Sequence, residues 1–108
     1  MQFVVEGSHP LSGSIRPSGN KNAALPIIAA SLLTEQPVTL DNVPRIRDVE
    51  TLVELVSTLG VRITWSARNT LAIQAKEVRG STLDARLSAR IRASILLAGP
   101  LLARCGSV

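Results

Sequence analysis

The chain has 108 residues, 45% of them hydrophobic and 19% charged, a balance that excludes an intrinsically disordered polymer. Its length allows one small domain or a piece of a larger one, burying roughly 65% of the surface of the extended chain. The formal charge is +4, and the single cysteine, Cys105, excludes an intrachain disulfide and a cysteine-based metal cluster.

Phe3-Val4-Val5 is a short β-prone run closed by Gly7-Ser8-His9-Pro10, and Gly13-Ser14-Ile15-Arg16 predicts a second strand before Pro17-Ser18-Gly19. Asn22 to Leu33 follows, apolar on nearly every side, which predicts a helix enclosed all round. Pro26 predicts a helix start near Ala23 or a slight kink. Pro37–Leu40 reads as a strand, ended by the turn Asp41-Asn42-Val43-Pro44. A second helix is expected with Asp48 as its N-cap and Gly60 just past its end. Its apolar positions Val49, Leu52, Val53, Val56 and Leu59 recur every three or four residues and form one buried stripe, leaving Glu50 and Glu54 to water. Val61–Trp65 and Thr70–Gln74, around Ser66-Ala67-Arg68-Asn69, predict a β-hairpin. The resulting order is βαβαββ, an α/β (α+β) unit.

From Asp84 or Ser88 to about Arg104 the pattern predicts a third, continuous helix. Shifted by 70 residues it resembles the first, with three of seventeen positions identical (Ala23/Ala93, Leu32/Leu102, Val38/Val108). An internal repeat would make residues 81–108 the opening of a second unit whose sheet is not closed, the mark of a fragment.

The longest apolar stretch, Ala23–Leu33, is broken by Pro26 and Ser31 and falls short of the ~18 residues a membrane span needs. Met1–Glu6 lacks a basic region followed by an apolar run, so a cytoplasmic location is expected. The charge is uneven: residues 1–78 carry seven basic and seven acidic groups, whereas residues 79–108 carry five arginines against Asp84 alone. Such a patch suits an anionic partner or a solvated face. Nucleic acid is a poor candidate, because Phe3 and Trp65 are the only aromatic residues and base stacking needs more.

Two places could carry chemistry. In Ser18-Gly19-Asn20-Lys21-Asn22, a glycine that lets the backbone approach a ligand meets a helix N-terminus and a mobile cation. That combination is either a phosphate or carboxylate site or a solvated loop with a surface lysine; it is not a P-loop, whose spacing is absent. Arg92 heads the most apolar part of the third helix, where its planar fork either grips phosphate oxygens or lies along the surface with its stem on the core. Arg90 is expected on a different helix face, sharing a solvated side with Arg86. Cys105 reads as a small buried hydrophobe. His9 has no acid or nucleophile near it in sequence, and Trp65 reads as core or hairpin cover.

Gly19-Asn20-Lys21-Asn22-Ala23-Ala24-Leu25-Pro26 resembles the Gly-x-Lys-Asn-Ala-Ala-Leu-Pro signature of the bacterial UDP-N-acetylglucosamine 1-carboxyvinyltransferases, within the enolpyruvyl transferases. Asp41-Asn42-Val43-Pro44, Asp48-Val49, Leu59-Gly60, Arg92-Ala93-Ser94 and Gly99-Pro100-Leu101-Leu102-Ala103-Arg104 extend the resemblance in order. The shikimate-pathway sister family typically carries Lys-Ser where this chain has Lys21-Asn22. Around Asp84–Leu87 this chain departs from the Pro-Tyr-Asp-like stretch more usual in the family.

The resemblance implies an inside-out barrel of βαβαββ units, incomplete here: residues 1–21 as strands and crossover, 22–80 as a first unit, 81–108 as the start of a second. It implies transfer of the enolpyruvyl group of phosphoenolpyruvate to the 3′-hydroxyl of UDP-N-acetylglucosamine, with release of phosphate, committing the sugar to peptidoglycan. By position, Lys21 and Asn22 match residues at phosphoenolpyruvate and Arg92 matches an arginine that holds the UDP-sugar. No metal or cofactor is implied. The general-acid cysteine and the acidic base would lie beyond Val108, so Cys105 is not that cysteine, and the 108 residues alone are expected to be inactive without the remainder of the chain. A shikimate-type transferase and a non-catalytic anion-binding module are the alternatives.

Overall fold

The computed structural model describes residues 1–108. Helix α1 spans Lys21–Ala30 and runs into a 3-10 turn at Ser31–Leu33; strand β1 is Val38–Leu40, helix α2 Arg47–Thr58, and strands β2 and β3 Arg62–Ala67 and Thr70–Gln74. Helix α3 (Ala85–Arg90), a 3-10 segment (Arg92–Leu97) and helix α4 (Ala98–Cys105) complete the chain. No helix is long and apolar enough to cross a membrane.

The three strands form one antiparallel sheet in the order β1-β3-β2. Strand alternation brings Val38, Ile73 and Ile63 into one cross-strand row and Leu40, Leu71 and Trp65 into the next. These rows face the helices, and Leu71 and Ile73 are buried with Ile28 and Leu32 of the first helical segment, Leu52, Leu55 and Val56 of α2, and Leu97 and Leu101 of the last. Of the three strands, the central one alone has fully enclosed side chains, because it has a strand on each side. The hairpin turn tightens to Arg68-Asn69, with a bulge between Trp65 and Ala67 that lets the strand continue past the expected end at Trp65. Trp65 is only partly buried, and the Arg45 guanidinium lies over its ring, 4.7 Å from the centroid.

Four expectations need correction. Phe3–Val5 and Gly13–Arg16 are not strands: residues 1–20 contain no regular element, and Phe3, Val4 and Val5 are each more than 80% exposed (84%, 88% and 87%). A strand persists only where a neighbour accepts its backbone hydrogen bonds, and the sheet's pairings run solely among β1, β3 and β2. Second, α1 is not enclosed all round. It begins at Lys21 and continues through Pro26, but Ile27 is 47% and Leu33 55% exposed, because no element packs on that side.

Third, Asp48 does not cap α2. The helix starts two residues earlier, at Arg47, with Ile46 at the N-cap making no side-chain bond, and Asp48 and Glu50 lie in the first turn, where their charge complements the helix dipole. The stripe of α2 is buried as expected except for Val53, which is partly exposed, while Leu55 joins it fully buried. Gly60 ends the helix at φ +80°, a conformation glycine adopts freely. Fourth, the third helix is not continuous. Asp84 Oδ1 accepts from the Leu87 amide at 2.8 Å and caps α3, but Ile91 is extended (φ −139°, ψ 133°) and splits the segment. Burying the Ile91 side chain, 6% exposed, is what the break achieves. The segments paired by the 70-residue shift also differ locally: α1 precedes its 3-10 turn, whereas the 3-10 segment precedes α4.

Candidate functional site

The site is assembled from the hairpin inward. Asn69 donates its side-chain amide to the Val43 carbonyl at 2.8 Å and accepts from the Val43 amide at its own carbonyl at 2.9 Å; Thr70 Oγ1 donates to Asp41 Oδ1 at 2.9 Å. These bonds fix the Asp41–Pro44 turn, where Asn42 takes a positive φ of 56°. Gly19 packs directly against that turn. A Cβ there would sit 1.7 Å from the Asn42 carbonyl oxygen and 2.9 Å from Pro44 Cδ. The glycine is therefore needed for close approach to this turn, whereas the sequence pointed to close approach of a ligand.

Held in place by Gly19, Asn20 becomes the N-cap of α1. Its Oδ1 accepts from the Asn22 amide at 2.7 Å, and its carbonyl accepts from the Ala23 and Ala24 amides at 3.3 and 3.0 Å. Lys21 is then the first residue of the helix, and its Nζ meets Asp48 Oδ2 of α2 at 2.7 Å. Both side chains remain half exposed, so the pair adds little stability; its effect is to aim the amine.

Lys21, Asn22 and Arg92, the three residues singled out from sequence, line one concavity of about 400 Å³ together with Leu25, Asp48, Arg90, Ile91 and Ala93. Three cations face one carboxylate there, and that carboxylate is already engaged by Lys21. The hollow is thus electropositive and open to water, suited to phosphate or carboxylate oxygens. Cys105 is outside this lining, half-buried at the end of α4, its Sγ 3.9 Å from the Val78 and Gly80 carbonyls. His9 is exposed on the irregular N-terminal segment.

Asp48 and Arg90 are the lining residues that sequence reasoning missed. Asp48 looked like a helix cap because acidic residues at helix starts usually are. Arg90 looked like a solvated helix residue because an unbroken helix would turn it away from Arg92. No local signal marked the break at Ile91.

A sequence profile described as EPSP synthase (3-phosphoshikimate 1-carboxyvinyltransferase) matches residues 5–108. The chain is 70% identical over all 108 residues to a UDP-N-acetylglucosamine 1-carboxyvinyltransferase of Bradyrhizobium diazoefficiens, covering 25% of that protein. It is 49% identical over 104 residues, 96% of this chain, to the protein of the same name from Thermus thermophilus, covering 24% of it. The chain therefore spans about a quarter of the length of the curated relatives it matches. Among solved structures it resembles the enolpyruvyl transferase NikO from Streptomyces tendae, with a TM-score of 0.77 and 30% identity over 93% of this chain and 23% of that one. The fold is accordingly an incomplete α/β unit of the enolpyruvyl transferase type. With a profile match over nearly its whole length and a hollow of cations at the head of α1, the chain belongs to the EPSP synthase family of carboxyvinyltransferases.

Proposed function

We propose that these 108 residues supply one wall of the substrate cleft of a cytoplasmic UDP-N-acetylglucosamine 1-carboxyvinyltransferase. In this reading residues 22–80 form one repeat unit, preceded by a crossover segment and followed by the opening of a second unit. The observation that carries it is the convergence of Lys21, Asn22 and Arg92 on one electropositive hollow. The names of the similar proteins favour UDP-N-acetylglucosamine over a shikimate as acceptor.

Phosphoenolpyruvate brings a phosphate and a carboxylate, and the UDP-sugar brings a diphosphate. Holding both in register needs cations that remain in place when the substrates are absent. An ammonium has three donors; Asp48 accepts one from Lys21 and leaves two for the phosphoenolpyruvate oxygens. The Asn22 amide adds a neutral donor and acceptor beside it. Arg92 presents a planar fork to phosphoryl oxygens of the UDP-sugar. Protonation of the methylene carbon of phosphoenolpyruvate makes its C2 electrophilic, and the 3′-hydroxyl attacks there while giving up its proton. Loss of phosphate from C2 and of a proton from the new methyl group then restores the double bond as an enol ether. The cations stabilise the departing phosphate; the acid and base for the proton steps come from outside these residues.

A chimera in which residues 1–108 replace the matching quarter of the Bradyrhizobium relative tests this reading. It should release phosphate from phosphoenolpyruvate only when UDP-N-acetylglucosamine is present, and the isolated 108-residue chain should release none. Lys21→Ala should lower kcat/KM for phosphoenolpyruvate about 10²-fold, the loss typical of one donor at a developing anion. An unchanged kcat/KM, or turnover with 3-phosphoshikimate instead, would overturn it.

A further inference from the structure

Ile91 is the only residue between α3 and the following 3-10 segment, and it is extended. In extended backbone, successive side chains point to opposite sides and alternate ones share a side. Ile91 turns into the core, and the residues flanking it, Arg90 and Arg92, both line the hollow that holds Lys21. In an unbroken helix residues two positions apart point about 200° away from each other around the axis, so Arg90 would have been carried away from the site. The one carboxylate within ion-pair distance of it is Glu54 of α2, with Nη1 to Oε2 at 4.0 Å, the outer limit of an ion pair; the side chains are 49% and 58% exposed, and Asp48 across the hollow is engaged by Lys21. A contact that long and that wet does not hold a guanidinium in place. Arg90 is therefore a cation at the hollow whose donors remain available.

We propose that Arg90 is a further substrate-binding residue, donating from its guanidinium to phosphoryl oxygens that enter the hollow beside Lys21 and Arg92. The inference rests on the reading of the hollow as a phosphorylated-substrate site, and it adds a contact that neither the motif around Lys21 nor that around Arg92 contains. Arg86, one turn earlier on α3, is exposed and outside the lining, so it serves as the matched control.

The test uses the chimera described above. Arg90→Gln should raise the KM of the substrate whose phosphoryl group it meets about tenfold, the loss expected for one charge-assisted contact at a half-exposed site. The same variant should leave kcat and the melting temperature at the parent values. Separate KM measurements for phosphoenolpyruvate and for the UDP-sugar tell which phosphate is gripped. Arg86→Gln should change neither. In parallel, calorimetric titration with inorganic pyrophosphate should show weaker binding by Arg90→Gln, with a shallower dependence on salt than in the parent. Unchanged KM values and unchanged pyrophosphate affinity would overturn the proposal, as would an equal effect of Arg86→Gln. A parent chimera that binds pyrophosphate through Arg90 but turns over neither substrate would sink the transferase reading and leave the anion contact standing.

Discussion

Arg104 offers the sharpest test of how the segments are held together. Its side chain is 18% exposed and reaches from α4 to two distant parts of the chain. Nη1 donates to the Leu32 carbonyl at 2.8 Å, and Nη2 donates to the Ala75 and Lys76 carbonyls at 3.0 and 3.3 Å. Glu35 stands 3.7 Å away but is 71% exposed, so it contributes little. One guanidinium thus closes the carbonyl ends of the 3-10 turn after α1 and of the segment leaving β3, fastening both to the last helix. Arg104→Met keeps the apolar stem and removes every donor. A hydrogen bond from a charged group is worth about 1.5–3 kcal/mol, and the contributions of one side chain are not additive. With two short bonds lost and part-buried carbonyls stripped of partners, the expected cost is about 3 kcal/mol. That is a large fraction of the ~5–15 kcal/mol that stabilises a typical domain. Arg104→Lys, whose single ammonium cannot span both carbonyl groups, should lose about half as much. Urea unfolding followed by the fluorescence of Trp65, the chain's single tryptophan, reads both values. A midpoint shift worth less than about 0.5 kcal/mol for Arg104→Met, or equal stability of the Lys and Arg forms, would refute the clasp.

Two further outcomes follow from the packing. Gly19→Ala places a methyl group 1.7 Å from the Asn42 carbonyl oxygen, so the backbone of the Asp41–Pro44 turn must move; a destabilisation of at least about 3 kcal/mol in the same urea assay is expected, and a loss below 1 kcal/mol would show that the turn yields freely. Leu52→Ala removes a fully buried side chain from the stripe of α2 and should cost about 2–5 kcal/mol, whereas near-neutrality would mean that α2 does not pack as described.

Wherever a feature of the chain depends on neighbours in sequence, it was legible. The apolar period of α2, the turn chemistry of Asp41–Pro44, the hairpin and the break at Gly60 each come from local sterics and patterning, and each is present. The motif running from Gly19 to Pro26, with that around Arg92, carried the family as well. The N-terminal strands failed for the opposite reason: Phe3-Val4-Val5 has strand propensity, but propensity does not form a strand without a neighbour to accept its hydrogen bonds. In the last segment, an apolar pattern compatible with one helix was overridden by the gain from turning Ile91 inward.

The sequence by itself singled out Lys21, Asn22 and Arg92 as candidate anion contacts and located α1, α2 and the hairpin, because residue chemistry and short-range periodicity suffice for that. Only the tertiary structure decided that Asp48 meets Lys21 instead of capping its own helix, that Arg90 joins Arg92, and that Arg104 fastens carbonyls lying 72 and 29 positions away. Each of those contacts joins segments far apart in the chain, and its geometry is fixed by how whole elements pack, which no local pattern encodes.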